Sequence, residues 1–134
     1  MSAKFIKTEQ VAKTNYKDFK LKAKDFYQGI EIAQDAGLWH TMGAASVHAT
    51  ISIGDALTTH YLGVRSTAED HRLAKDILLR IQIDDIEQYA NVYGRIVAKK
   101  NAITYERREF TQKEASEIAK QAQRFYDWAI KRLP

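Results

Sequence analysis

The sequence predicts an all-α protein, an antiparallel bundle of four to five helices. Apolar residues recur at steps of three and four along most of the 134-residue chain. No segment alternates apolar and polar side chains over a useful length, and no Asn-Gly or Asp-Gly pair marks a hairpin. The single proline is Pro134, so no predicted helix is interrupted. We expect one helical-bundle domain over residues 14–134, preceded by an N-terminal arm over residues 1–13 that is irregular or a loose helical turn.

The first two helices are expected to form an antiparallel hairpin. Thr14 or Asn15 can cap the first helix, and Gly37 can end it. Residues 38–62 follow at once and contain no Lys, Arg or Pro and one acid. A helix that is apolar or small on nearly every side is central and buried. Gly63 is expected to end this helix. The apolar positions of the first helix are Tyr16, Phe19, Ala23, Phe26, Ile30 and Ala33.

Three further helices are expected downstream. The sequence Ser-Thr-Ala-Glu at residues 66–69 has the form of a capping box and opens a third helix that ends near Arg80. Asp84 is a candidate cap for a fourth helix, which runs into a basic segment. A second capping box, Thr-Gln-Lys-Glu at residues 111–114, opens a long last helix. The predicted core residues are Leu73, Ala74, Ile77 and Leu78; Ile86, Tyr89, Ala90, Tyr93, Ile96 and Val97; and Ala115, Ile118, Ala122, Phe125, Ala129 and Leu133.

The composition excludes several kinds of site. Without cysteine there is neither a disulfide nor a Cys-based zinc site. Gly-rich phosphate loops, Gly-x-Ser-x-Gly, His-Glu-x-x-His and Glu-x-x-His motifs are all missing from the sequence, and its four histidines lack metal-ligand spacing, so we expect no metal and no cofactor. Neither a signal peptide nor an apolar membrane span is recognisable, which predicts a cytoplasmic protein without a membrane partner. The net charge of +4 permits an anionic partner.

A polar line crosses the otherwise apolar central helix. His48, Ser52, Asp55 and Thr59 are spaced four, three and four residues apart, which places them on one helical face. Buried polar groups need partners, so His48, Ser52 and Asp55 are candidates for the floor of a polar pocket. The alternative is structural. Ser and Thr would then bond to carbonyls of their own helix, Asp55 would pair with a nearby cation, and His48 would be a neutral core histidine.

The start of the third helix is a candidate phosphate site. Helix N-termini offer free N–H groups and the positive end of the helix dipole. Arg65, His71 and Arg72 would add side-chain donors there. The alternative is that Arg65 pairs with Asp55 or Glu69 across the turn.

The segment at residues 95–108 is rich in cations and contains one acid, Glu106. Cations with an aromatic side chain among them suit a surface that follows a nucleic-acid backbone and stacks its bases. The alternative is a solvated helix end whose cations favour the C-terminal dipole. The candidate nucleic-acid- or nucleotide-binding residues are Arg95, Lys99, Lys100, Asn101, Tyr105 and Arg107.

Taken in order, these stretches resemble the HEPN superfamily, the all-α "higher eukaryotes and prokaryotes nucleotide-binding" domains. The resemblance is carried by the small-residue second helix (Ala-Ala-Ser-Val-His-Ala at residues 44–49), a loop leading to His71, the basic-Asn-x-x-x-Tyr segment at residues 100–105, and a long closing helix rich in Ala and aromatics. It covers about residues 15–133. It implies a four- to five-helix bundle that usually forms a homodimer.

The resemblance also implies where a ribonuclease site would lie. Active members carry a motif of an Arg followed, after four to six residues, by a His. Two copies of this motif meet at the dimer interface and form a site that cleaves RNA without metal. The Arg position falls on Lys100 and the His position on Tyr105, and a downstream Tyr would fall on Arg107. Lys lacks the two-pronged grip of Arg on phosphate, and Tyr, with a pKa of about 10, is a poor proton shuttle. The polar line is expected to face this segment, with Asp55 near Lys100 and Tyr105.

We therefore expect a non-catalytic, HEPN-like homodimer that binds RNA or a nucleotide through a basic groove. Two alternatives remain open. One is a variant metal-independent HEPN ribonuclease, with Lys100, Tyr105 and His71 as its candidate catalytic residues. The other is a protein-interaction module, half of a toxin–antitoxin pair whose partner is a nucleotidyltransferase.

Overall fold

The predicted all-α bundle is confirmed by a computed structural model that describes residues 8–67 and 73–134. Helices make up most of these residues, and one two-stranded sheet is added to them. In chain order the elements are β1 (Thr8–Gln10), a 3-10 turn (Lys13–Asn15), α1 (Tyr16–Ala36), α2 (Trp39–Leu62), β2 (Val64–Ser66), α3 (Ala74–Leu78), α4 (Ile86–Val97), α5 (Lys100–Tyr105) and α6 (Gln112–Ile130).

The central helix of the bundle is α2, as its composition predicts. It packs most extensively against α1 and α6, and it also contacts α4 and α5. Tyr16 of α1 meets His60 of α2, and Phe26 of α1 meets His48 of α2, so these two helices run antiparallel. None of the described helices is both long enough and apolar enough to cross a bilayer.

Two glycines of α2 allow neighbouring elements to approach closely. A Cβ atom at Gly54 would lie 2.7 Å from Cε2 of Tyr93 in α4. A Cβ atom at Gly43 would lie 2.5 Å from Cε1 of Phe110 and 3.3 Å from Cδ1 of Ile103 in α5. The small residues of α2 therefore seat α4 and α5 directly on the central helix, which positions the basic segment at residues 95–108.

Three helix ends confirm the local signals in the sequence. Gly37 and Gly63 have φ angles of 71° and 69° and end α1 and α2 in the left-handed conformation that glycine tolerates. At the start of α6, Thr111 Oγ1 accepts a hydrogen bond from the Glu114 N–H at 3.1 Å. The Glu114 carboxylate accepts one from the Thr111 N–H at 3.2 Å. The predicted second capping box is therefore present.

Other helix starts differ from the prediction. Asn15 precedes α1 without a capping side-chain hydrogen bond. Asp84 does not cap α4, because that helix follows Asp85, which has a φ of 67° and no capping side-chain bond. Ser66 lies in β2, and α3 begins at Ala74, well after the predicted start. Glu69, the predicted capping partner of Ser66, lies outside the described residues.

The N-terminal arm contains a strand that the sequence did not predict. Thr8–Gln10 pairs antiparallel with Val64–Ser66, with Glu9 opposite Arg65. Three residues are too few to show an alternating pattern, and all three side chains of β1 are exposed. The strand is therefore held by backbone pairing and by the contacts of Glu9 described below.

The core lies along α2, where α1, α4 and α6 pack against it. Every predicted core residue of α6 and the C-terminal turn is buried, and Phe125 and Tyr93 are almost completely buried, with ring centroids 5.6 Å apart. In the earlier helices Leu73, Ile86 and Tyr89 are only partly buried. Tyr27 of α1 and Tyr126 of α6 also contact each other, with ring centroids 4.5 Å apart. The periodicity therefore identified the buried faces of the long helices.

Candidate nucleic-acid interface

The polar line of α2 passes from the surface into the interior. Ser52 and Thr59 are buried, and the Asp55 side chain is only 16% exposed. His48 is exposed, so the alternative that it is a core histidine is wrong. The line therefore separates into a surface site at His48 and a buried site at Asp55, about 10 Å apart along the helix.

His48 lies among cations from two neighbouring helices. Its ring stacks on Phe26 of α1, with centroids 5.1 Å apart and an angle of 27° between the planes. The pKa of His48 is lowered by partial burial, by the charge of Lys100 on α5 and by the charge of Lys22 on α1. The structure thus brings together His48 and Lys100, which the sequence singled out, and Lys22, which it did not. The sequence offered one clue to Lys22: it precedes Phe26 by four residues, one helical turn, on α1.

The short helix α5 is oriented by its apolar residue. Ile103 packs against the core beside Gly43, and Lys100, three residues earlier, is partly buried. Asn101 is exposed, and Tyr105 is 78% exposed. This arrangement places Lys100 beside α2 and leaves the Tyr105 ring available for stacking.

The remaining cations of the segment differ in their ion pairing. Arg108 is engaged by Glu114, with two nitrogen–oxygen distances of 2.8 and 2.7 Å, and by Glu106 at 3.1 Å. Across residues 8–67 and 73–134, no acid forms an ion pair with the cations Arg95, Lys99, Lys100 and Arg107. These four cations are therefore free to bind an external anion.

A cleft of about 430 Å³ separates α4 from α6 beside this segment. Arg95 and Lys99 line it together with Phe110, Glu117 and Glu114. The charge of Glu114 is offset by Arg108. The cleft therefore offers two unpaired cations and one unpaired acid, next to an aromatic ring.

The buried end of the polar line is a separate ion-pair cluster. Nη1 of Arg65 lies 3.9 Å from Oδ2 of Asp55, and Nε of Arg65 lies 3.1 Å from Oε1 of Glu9. The Arg65 guanidinium also sits over the Phe19 ring, 5.1 Å from its centroid. The structural alternative for Arg65 is thus confirmed as far as Asp55 is concerned. Glu69 and the other two phosphate candidates, His71 and Arg72, lie outside the described residues.

Burial dominates the electrostatics of Asp55. It raises the pKa of this carboxyl to about 6; the charges of Arg65 and Lys22 oppose the shift, and that of Glu9 adds to it. The Asp55 carboxylate also acts on Tyr93: burial and the charge of Asp55 both raise the pKa of the Tyr93 hydroxyl. The sequence led us to expect Lys100 and Tyr105 beside Asp55. The charges that act on Asp55 are instead those of Arg65, Lys22 and Glu9. Lys100 acts on His48 instead.

The hydroxyls of α2 follow the structural alternative only in part. Ser46, Thr50 and Thr58 donate to carbonyls of their own helix at 2.7, 2.9 and 3.3 Å. Thr59 Oγ1 is buried without a hydrogen-bond partner among the described residues. Intrahelical bonding within the described residues therefore explains the neighbouring hydroxyls but neither Ser52 nor Thr59 of the polar line.

We call the set of exposed and partly buried polar residues around α5 the basic surface. It can bind phosphates through its cations, while its two aromatic rings can stack on bases. Its members are Lys22, His48, Arg95, Lys99, Lys100, Asn101, Tyr105 and Arg107. Comparison of the chain with models of protein families, with curated proteins and with solved structures gave no match.

Proposed function

We propose that the protein acts in the cytoplasm as a non-catalytic, HEPN-like homodimer that binds RNA or a nucleotide through the basic surface. The observation that carries this proposal is the exposed imidazole of His48, which stacks on Phe26 and lies within reach of the charges of Lys22 and Lys100. A phosphate beside this imidazole would be attracted by the charges of both lysines. A base would find a flat aromatic partner at the same place.

The second support is the set of cations around α5 that form no ion pair within residues 8–67 and 73–134. Arg95, Lys99 and Arg107 extend the positive surface, and the exposed Tyr105 ring offers another stacking partner. Phosphate contacts of this kind release counterions, so affinity falls as salt rises. Arg95, Lys99 and Arg107 are consistent with this function because, unlike Arg108, they have no acid partner in the described part of the chain.

The non-catalytic part of the proposal follows from residue chemistry. Lys100 and Tyr105 stand where the HEPN resemblance would have an Arg and a His. A tyrosine hydroxyl holds its proton at neutral pH, which makes it a weak general base. The surface is therefore proposed to bind RNA without cleaving it.

The homodimer follows from the resemblance and has one support on the surface of the molecule. Leu21, Ile32 and Leu38 are 63%, 69% and 53% exposed, and burying them would favour self-association. Light scattering after size-exclusion chromatography would test this point. A monomer at all concentrations would contradict it without affecting the binding surface.

The binding proposal is tested by fluorescence anisotropy with end-labelled single-stranded RNA in the presence of a chelator. We expect log affinity to fall linearly with log salt, with a slope of about −0.7 for each phosphate neutralised. Lys99→Gln/Lys100→Gln should weaken binding at least about tenfold. The matched control is Lys17→Gln/Lys24→Gln, which removes two exposed cations of α1 and should change the affinity much less. Equal losses in the two double variants would contradict a localised surface.

The same samples, run on a denaturing gel, test the absence of cleavage. We expect intact RNA. Discrete fragments that disappear in Tyr105→Phe would show that the variant ribonuclease interpretation is right and that the non-catalytic one is wrong. No RNA or nucleotide binding at low salt would refute the function itself and leave a protein partner as its replacement.

A further inference from the structure

A second group of cations lies on the same α4–α6 pair as the first cleft, at its opposite end. The two helices run antiparallel, since Tyr89 stacks on Trp128 and Tyr93 contacts Phe125. A groove of about 690 Å³ opens between them beside Tyr89. The charged residues lining this α4–α6 groove are the cations Lys120, Arg124, Lys131 and Arg132 and the acids Asp85 and Asp127. The groove is therefore net positive.

Two of these cations are held in place by aromatic rings. The Tyr89 and Trp128 rings are stacked nearly parallel, with centroids 4.4 Å apart and an angle of 7°. The Arg124 guanidinium lies over Tyr89 at 5.5 Å, and that of Arg132 lies over Trp128 at 5.3 Å. A guanidinium bound through its flat face keeps its N–H edge available for phosphate. In the described part of the chain, no acid forms an ion pair with either arginine.

One residue that lines the groove has an unsatisfied donor. Trp128 is 6% exposed and lines the groove, and its indole Nε1 is buried without a hydrogen-bond partner among the described residues. Buried donors of this kind are uncommon in folded proteins. One residue in the wall of the groove is therefore left with an unmet hydrogen bond within the described part of the chain.

One face of α6 links the first cleft of the basic surface to the groove. Gln121 lines the first cleft beside Arg95 and Lys99, and Arg124, Trp128 and Arg132 follow it at steps of three, four and four. Such steps keep these residues on one face of the helix, over about 16 Å. A nucleotide bound at Lys100 cannot also reach Arg132, whereas a strand can follow this face.

We infer that the ligand is a single-stranded polynucleotide that continues from the basic surface into the α4–α6 groove, where Arg124 and Arg132 bind its phosphates. This inference rests on the proposed function and selects a strand over a mononucleotide. The link to the basic surface favours a nucleic acid over an acidic peptide, which would have no need of the stacking rings beside α5.

The test compares a labelled dinucleotide with a labelled RNA strand of roughly 12 nucleotides, a length within the range of known single-strand sites. We expect the strand to bind at least about tenfold more tightly than the dinucleotide. Arg124→Gln/Arg132→Gln should remove most of that advantage and leave dinucleotide affinity unchanged. Arg124→Lys/Arg132→Lys should retain part of it, because charge remains while the held, planar donors are lost. Thermal unfolding of each variant shows whether it is folded.

Failure of the inference and failure of the proposed function give different results. If Lys99→Gln/Lys100→Gln weakens both ligands while Arg124→Gln/Arg132→Gln weakens neither, the basic surface binds nucleic acid and the groove inference is wrong. If neither ligand binds to the wild-type protein, the proposed function fails and the inference fails with it. If a labelled poly-glutamate peptide loses affinity in Arg124→Gln/Arg132→Gln while the strand does not, the groove serves an acidic protein and the inference is overturned.

Discussion

Asp55→Asn is expected to stabilise the protein above pH 6 and to have little effect at pH 4. Burial raises the pKa of this carboxyl from its ordinary value of 3.8 to about 6. A group with a raised native-state pKa binds its proton more tightly in the native than in the unfolded state. Stability is then highest below the unfolded-state pKa and falls as the pH rises towards the native-state pKa. For Asp55 this loss amounts to about 3 kcal/mol.

The charged groups around Asp55 set the size of this effect. Arg65 from β2 and Lys22 from α1 favour the carboxylate, whereas Glu9 from β1 opposes it. The buried Tyr93 hydroxyl of α4 is another neighbour. Asparagine has the same shape but no charge, so the substitution removes the burial penalty together with the attraction to Arg65. We expect a net gain of up to about 3 kcal/mol at pH 8, because the pKa of about 6 already includes the attraction to Arg65.

Urea unfolding, followed by circular dichroism at about pH 4, 6 and 8, measures this effect. The difference in unfolding free energy between Asp55→Asn and the wild type should be near zero at pH 4 and grow as the pH rises. Glu9→Gln is the control, since it removes an exposed partner of the same arginine and should change stability by less than about 1 kcal/mol. A difference that is constant with pH, or a loss of stability confined to high pH, would show that the Arg65 pair outweighs burial and would refute the reasoning.

Three further predictions concern packing, capping and protonation. Gly54→Ala places a Cβ 2.7 Å from the Tyr93 ring and should lower the unfolding free energy by about 1–3 kcal/mol. Gly29→Ala places its Cβ 3.7 Å from the nearest atom and should raise the unfolding free energy by up to about 1 kcal/mol. Urea unfolding that gave changes of the same sign for the two variants would contradict this prediction. Thr111→Ala removes the capping box of α6 and should lower the unfolding free energy by about 1 kcal/mol, which thermal unfolding would detect; an unchanged midpoint would count against the cap. RNA affinity should rise between about pH 7.5 and about pH 5.5, because a bound phosphate offsets the lysine charges that lower the pKa of His48. In anisotropy titrations His48→Gln should lose this dependence, and a variant that keeps it would exclude His48 as its source.

Local signals explain why the long helices were predictable. Apolar periodicity located α1, α4 and α6, and the apolar composition of residues 38–62 located α2. Gly37, Gly63 and the Thr111 capping box fixed three of their ends. The β1–β2 pair had no such signal. Its strands are three residues long, lie on either side of a helical hairpin, and are joined by backbone bonds that any side chain permits. A pairing that depends on tertiary structure leaves no pattern in so short a segment.

The candidate interface was predictable in its charges but not in its partners. Arg107 and Arg108 are equivalent in the sequence, yet only Arg108 is engaged by Glu114, because the start of α6 turns back towards it. In the sequence, Lys22 cannot be told from the other solvated lysines of α1. Only the packing of α1 on α2 brings its charge within reach of His48. Arg124 was hidden in the same way, since its role depends on the Tyr89 ring of another helix.

The strand pair of Thr8–Gln10 with Val64–Ser66 has a consequence for the order of folding. It closes a chain segment that contains all of α1 and α2, so it has a high contact order and must wait until the helical hairpin has brought its ends together. Because the β1 side chains stay exposed, the pairing buries little surface to offset the chain entropy that it costs. We therefore expect the pair to form late and to open by sub-global fluctuation, with its amides exchanging hydrogen well before those of α2. Each opening would separate Glu9 from Arg65 and give Asp55 brief access to solvent protons while the helices stay folded.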